Sequence, residues 1–132
     1  MLIGLDTNVV IRLLVDDEPG QAERAQRVLD ERTSAQDPAF IDLLVIAETF
    51  WALDRVYKVP RPKIGAAIRE LLNANNVTVE HADDVRIALE ALDHGADFAD
   101  ALVAARNQRA GCTTTVTFDD RAAKRLASFE LI

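Results

Sequence analysis

Cysteine is almost absent: Cys112 is the only one in 132 residues. That excludes an intrachain disulfide and a thiolate-built zinc site, and it agrees with a reducing cytoplasm. Long apolar runs are missing too. The longest, residues 43–47, is stopped by Glu48, far short of the ~18 uncharged residues of a membrane span, so no membrane association is expected. No basic segment precedes Leu2-Ile3-Gly4-Leu5, so no signal peptide is expected. Histidine is confined to His81 and His94, and no Ser-His-Asp set is apparent. Cations are outnumbered as well, with 15 Lys and Arg against 22 Asp and Glu and a formal net charge of −7. Phosphate-binding surfaces normally carry surplus Lys and Arg, so a broad electrostatic nucleic-acid surface is excluded.

What is present is an ordinary globular composition, 49% hydrophobic and 28% charged, without repeats or Gly/Ser linkers. One domain over residues 1–132 is expected at this length. Leu2-Ile3-Gly4-Leu5 has the shape of a short buried strand. Residues 7–15 read as a short helix, ended by an Asp16-Asp17-Glu18-Pro19-Gly20 turn. Apolar residues recur at helical spacing at Ala22, Ala25, Val28 and Leu29, again at Ile64, Ile68, Leu71 and Leu72, and again at Val85, Ala88, Leu89 and Leu92, the last group closed by Gly95. Ala39-Phe40-Ile41, Val77-Thr78-Val79 and the β-branched residues 113–118 read as strands. Residues 119–127 suggest a last helix and residues 129–132 an edge strand. Strands alternating with helices indicate an α/β domain around a mainly parallel sheet. Ligand sites in such sheets lie beyond the carboxyl ends of the strands, where Asp6 and Asp119 fall.

The carboxylates are the residues with chemical potential. Glu48 interrupts the most apolar segment of the chain. It is expected either on a buried face, where it would need a partner or a metal, or on the solvated stripe of an amphipathic helix. Asp97 and Asp100 stand three apart at a helix start, where Asp97 is a natural N-cap and first-turn acids complement the helix dipole. Asp6 and Asp119 each precede a helical segment and taken singly read as caps. Taken together, the set reads differently. Converging carboxylates would raise one another's pKa unless a cation neutralised them, and all-oxygen ligation suits a hard divalent ion, Mg²⁺ or Mn²⁺.

Leu5-Asp6-Thr7-Asn8-Val9-Val10, Ile46-Ala47-Glu48-Thr49, Asp97-Phe98-Ala99-Asp100-Ala101-Leu102 and Thr117-Phe118-Asp119 resemble the four acidic motifs of PIN domains. Within that family the sequence is most similar to the VapC toxins of type II toxin–antitoxin modules. The resemblance covers essentially the whole chain, with the motifs in the family's order. It implies a PIN-like three-layer α/β/α sandwich with a central, mainly parallel sheet of about four to five strands, and a Mg²⁺- or Mn²⁺-dependent ribonuclease. The family's acids map onto Asp6, Glu48, Asp100 and Asp119 as catalytic and metal-binding residues. Asp97 matches an additional acid of some relatives and is a second-tier ligand. Thr7, Asn8 and Thr117 fall beside the acids as hydrogen-bonding groups, whereas Phe118 has no catalytic role.

The implied reaction is hydrolysis of an RNA phosphodiester. Asp6 and Asp100 would hold the principal ion, Asp119 and Glu48 would complete the pocket, and the products would carry 5′-phosphate and 3′-hydroxyl ends. The implied partners are RNA, a second copy of the chain, and a cognate antitoxin whose basic segment complements an acidic pocket. Among Arg12, Arg55, Lys58, Arg61, Lys63, Arg106, Arg109, Arg121, Lys124 and Arg125, which are scattered with clusters at 55–63 and 121–125, most read as solvated helix faces. Phe50, Trp51 and Tyr57 read as core or helix–helix contacts rather than base-stacking groups, and Cys112 as a small core residue. A PIN nuclease with a processing role is the nearest alternative. A receiver-type Mg²⁺-binding module is a distant one, since it would want an acidic pair after the first strand and a Lys where Asp119 stands. Setting aside the four mapped acids reduces the net charge from −7 to −3, so the acidic balance does not oppose an RNA substrate gripped mainly through metal.

Overall fold

The computed structural model describes residues 3–132; Met1 and Leu2, the start of the expected first strand, lie outside the described residues. The backbone divides into two compact units, Met1–Ala82 and Asp83–Ile132. Among the described residues no helix is long and apolar enough to cross a membrane.

In the first unit the expected elements appear in order. Helix α1 (Thr7–Leu14) and helix α2 (Pro19–Arg32) are followed by strand β1 (Ala39–Ile41), helices α3 (Leu43–Arg55) and α4 (Arg61–Asn73), and strand β2 (Val77–Val79). One boundary differs from expectation. Pro19 and Gly20 do not close a turn but open α2, because a proline in the first helical turn has a fitting φ and lacks an N–H that would be unsatisfied anyway. Strands β1 and β2 pair in parallel, with Ala39 opposite Val77 and Ile41 opposite Val79. Those four residues are buried and their apolar side chains anchor the ladder. Gly4 adds a parallel bridge to Phe40. It is held by Phe40 N–H donating to Ile3 O and Leu5 N–H donating to Phe40 O, both at 2.9 Å. Helix α3 buries Val45, Ile46, Thr49, Phe50 and Leu53, the one-sided spacing of an amphipathic helix. The opposite stripe, including Leu44, Glu48, Trp51 and Arg55, is exposed.

The second unit contains helices α5 (Ala82–Asp93, whose first residue closes the first unit) and α6 (Phe98–Arg109), strand β3 (Thr115–Thr117), helix α7 (Asp120–Arg125) and strand β4 (Phe129–Leu131). Gly95 ends the α5 segment with φ 95°. A Cβ there would also approach Arg125 Nη1 to 3.2 Å, so glycine is favoured both by backbone conformation and by space. Strands β3 and β4 pair in parallel, Thr115 opposite Phe129. All pairings among the described residues are thus parallel, and the four strands with the Gly4 bridge account for the five strand segments expected.

One expectation fails in this unit, and one pair of cations has an added role. Cys112, expected in the core, is exposed, because it follows the left-handed Gly111 (φ 101°) at the end of α6 rather than lying on an apolar face. Arg106 and Arg109 do not simply face solvent. Arg106 Nη1 donates to Asp84 Oδ2 and Arg109 Nε to Asp84 Oδ1, both at 2.8 Å. Asp84 is 1% exposed. Its two guanidinium partners hold its carboxyl below the ordinary carboxylate range, against the opposing pull of burial.

Candidate active site

In the first unit the three parallel segments end alike. Leu5, Ile41 and Val79 are each followed by an acid: Asp6, Asp42 and Glu80. Parallel pairing places these three at the carboxyl edge of the ladder. Two of them secure α3, whose first N–H groups have no partner within the helix. Val45 N–H donates to Asp42 Oδ1, and Leu43 N–H to Glu80 Oε1, each at 2.9 Å. Asp6 behaves differently. It occupies the N-cap position of α1, yet its side chain makes no capping hydrogen bond. The capping role that accounts for an aspartate at this position is therefore absent, and the exposed carboxylate is available to a ligand.

Asp6 opens instead onto a cleft of about 380 Å³ whose walls also include Glu48, Trp51, Thr7 and Asn8. Glu48 is not buried, as one reading of its apolar neighbours had it; it is exposed on the outward stripe of α3. The helical period carries its neighbours Ile46 and Thr49 to the core and turns Glu48 to the cleft. Asp6 and Glu48 thus reach one cavity from two elements 42 positions apart in the chain.

The second unit gathers the remaining acids. Asp97 caps α6, its Oδ2 accepting from Asp100 N–H at 3.1 Å. Asp119 caps α7, its Oδ1 accepting from Arg121 N–H at 2.9 Å and Ala122 N–H at 3.1 Å. Its own N–H donates to Thr117 Oγ1 at 3.0 Å, a turn that fixes the residue after β3. Asp100, in the first turn of α6 and half-buried, makes no such cap. Burial, then the charges of Asp97 and Asp119, raise its carboxyl above the ordinary value. Like charges are therefore gathered around Asp100. Among the described residues no three His, Cys, Asp or Glu side chains form a group that could hold a metal ion.

The PIN domain family model matches residues 3–128. The chain belongs to the PIN domain family. Its parallel α/β elements are the fold this membership calls for. Among solved structures, the sarcin–ricin loop cleaving toxin VapC20 of Mycobacterium tuberculosis is 23% identical, with 98% of each chain covered and a TM-score of 0.45. No curated protein sequence matches the chain.

PIN nucleases generally use divalent metal ions, and the candidate acids in each unit are of the chemical kind such an ion takes. They are carboxylates, with no thiolate or imidazole among them, which favours a hard ion. Asp6 is left without its cap, and Asp100 carries a repulsion that a cation would relieve. Asp119 uses one oxygen for capping and retains Oδ2. Sequence reasoning overlooked Asp84, which has the lowered pKa of a neutralised carboxylate and a structural place, and it overlooked Asp42 and Glu80, which hold α3. Their position directly after each strand was the available signal.

Proposed function

We propose that this PIN domain is a Mg²⁺- or Mn²⁺-dependent ribonuclease acting in the cytoplasm as the toxin of a type II toxin–antitoxin module. Residues 1–132 act as one domain, and the family match running from residue 3 to 128 supports that reading. Asp6, Glu48, Asp100 and Asp119 are its catalytic and metal-binding acids, with Asp97 mainly a cap and only secondarily a ligand. The observation that carries the proposal is Asp6, which stands at a helix N-cap without capping and shares a cleft with Glu48.

A divalent ion, when bound, lowers the pKa of its water and polarises a phosphoryl oxygen. The chain's own groups do the rest. Asp6 and Asp100 would hold the principal ion. Oδ2 of Asp119 completes the acidic set while its Oδ1 keeps α7 in place. Glu48, on the solvent side of α3, accepts a proton from water or orients it for in-line attack, leaving 5′-phosphate and 3′-hydroxyl ends. Thr7 and Asn8 line the same cleft and supply hydrogen bonds to phosphate oxygens.

The partners follow from charge. RNA is the substrate, a second copy of the chain completes a homodimer, and a basic segment of a cognate antitoxin neutralises the acidic cleft. Asp6→Ala is expected to abolish cleavage of single-stranded RNA while leaving the circular dichroism spectrum unchanged. Excess EDTA is expected to do the same to the wild type. Cleavage that survives both would remove the proposal. Growth arrest on expression, relieved by a small neighbouring gene product, would establish the toxin role, and growth unaffected by an active nuclease would refute it.

A further inference from the structure

We propose that Trp51 is a stacking platform for a nucleobase of the RNA beside the cleaved phosphate, an inference that rests on the nuclease reading above. Trp51 is the only tryptophan in the chain. It lies three residues after Glu48 on the outward stripe of α3 and is 60% exposed. It lines the same cleft as Asp6 and Glu48.

The other aromatic side chains nearby are engaged elsewhere. Phe50 is 5% exposed and belongs to the core. Tyr57 accepts a 2.8 Å hydrogen bond at its hydroxyl from Arg12 Nη1. Trp51 is therefore the aromatic residue that lines the cleft of Asp6 and Glu48 and remains exposed.

Two carboxylates repel phosphate until a cation intervenes, but they do not repel an uncharged base. Stacking on an aromatic face is tolerant of sequence, because every base has a π-face. A grip of this kind needs no surplus of Lys and Arg, which suits a chain with net charge −7. Self-association centred on the same face is disfavoured, because a two-fold contact would bring Asp6 and Glu48 towards their own copies.

The single tryptophan makes the test direct. Asp6→Asn protein in Mg²⁺, unable to cleave, is titrated with a ten-nucleotide oligo(U), an oligo(A) of equal length, and an abasic oligomer with the same backbone. Saturable quenching of tryptophan emission by the two base-bearing oligomers, and not by the abasic one, is the expected result. In active protein, Trp51→Ala should raise KM for oligo(U) cleavage about 5- to 150-fold, leave kcat within about twofold, and be rescued largely by Trp51→Phe.

Equal quenching by the abasic oligomer, or none with any oligomer, overturns the platform even if Asp6→Ala has abolished cleavage. An emission change that follows protein concentration without RNA assigns the face to self-association and overturns it too. Cleavage that persists in Asp6→Ala and in EDTA instead removes the underlying nuclease reading, so the two failures are distinct.

Discussion

The two ends of helix α6 treat carboxylates in opposite ways. At the carboxyl end, Arg106 and Arg109 in the last turn enclose Asp84, which is almost wholly buried and has a lowered pKa. At the amino end, Asp100 is only half-buried, yet its pKa is raised, first by that burial and then by the like charges of Asp97 and Asp119, with no cation to offset them among the causes. Burial alone would predict the reverse order. What decides is whether a cation accompanies the buried charge. Asp84 is a completed internal ion pair that joins α5 to α6, whereas Asp100 is a site where a cation would restore the balance. A strongly perturbed carboxylate marks a structural or a functional place according to the sign of its shift and the identity of its neighbours.

That contrast is sharpest in activity. Asp100→Asn should lower RNA cleavage by about a thousandfold or more, since a bound metal contributes several kcal/mol to such reactions. The same substitution should leave the metal-free fold as stable as the wild type or more so. An initial-rate assay with excess Mg²⁺, paired with urea unfolding in EDTA, checks both halves. A large stability loss would show that Asp100 is structural after all.

Asp84→Ala should give the opposite pattern, a stability loss of about 2–4 kcal/mol with normal cleavage wherever the protein remains folded. The loss is kept moderate because the Arg106 and Arg109 side chains, 35% and 53% exposed, can turn to water. Equal unfolding midpoints for variant and wild type in urea would break the comparison.

Proton linkage offers a finer measure in metal-free protein. The folded pKa of Asp84 lies below its unfolded value, so its contribution is present above the ordinary carboxyl pKa. It is lost as pH falls through the lowered folded value. The folded pKa of Asp100 lies above its unfolded value, so its contribution is most favourable in acid. It is lost as pH rises from the ordinary value through the raised one. Urea unfolding from pH 3 to pH 7 should therefore show Asp100→Asn diverging upward from wild type as pH rises, and Asp84→Ala converging on wild type as pH falls. Parallel curves would contradict the assignment.

The smallest effect concerns a buried polar group with neither a cation nor a hydrogen bond. Thr49 is fully buried in α3 and its Oγ1 has no partner among the described residues. Thr49→Val keeps the shape and removes the orphan hydroxyl. The protein should gain about 1 kcal/mol in urea unfolding, with cleavage unaltered.

Much of the chain is legible locally. The α2, α4 and α5 periodicities, the strand at Ala39–Ile41 and the caps at Asp97 and Asp119 all follow from residues within a turn or two of one another. The start of α2 at Pro19 was also written locally, in a residue that opens helices as readily as it ends them. Glu48 was harder. Its neighbours are apolar on both sides, and only the phase of the helix assigns them to the core and Glu48 to the cleft. The Asp84 ion pairs were invisible, because separations of 22 and 25 residues carry no pattern that a single sequence displays. Cys112 misled for a related reason, since a small apolar residue beyond a helix end has no periodic neighbours to place it.

The sequence by itself determined the order of elements, the parallel α/β class and the positions at which acids follow strands, because hydrophobic period and capping preference act over a few residues. Tertiary structure alone decided what each acid does. Asp42 and Glu80 are bound to the amino end of α3, Asp84 is enclosed by two arginines, Asp6 is uncapped beside Glu48 and Trp51, and Asp100 is crowded by like charge. The physical reason is that a carboxylate's role depends on the charges and N–H groups within a few ångströms. Folding brings those from distant parts of the chain.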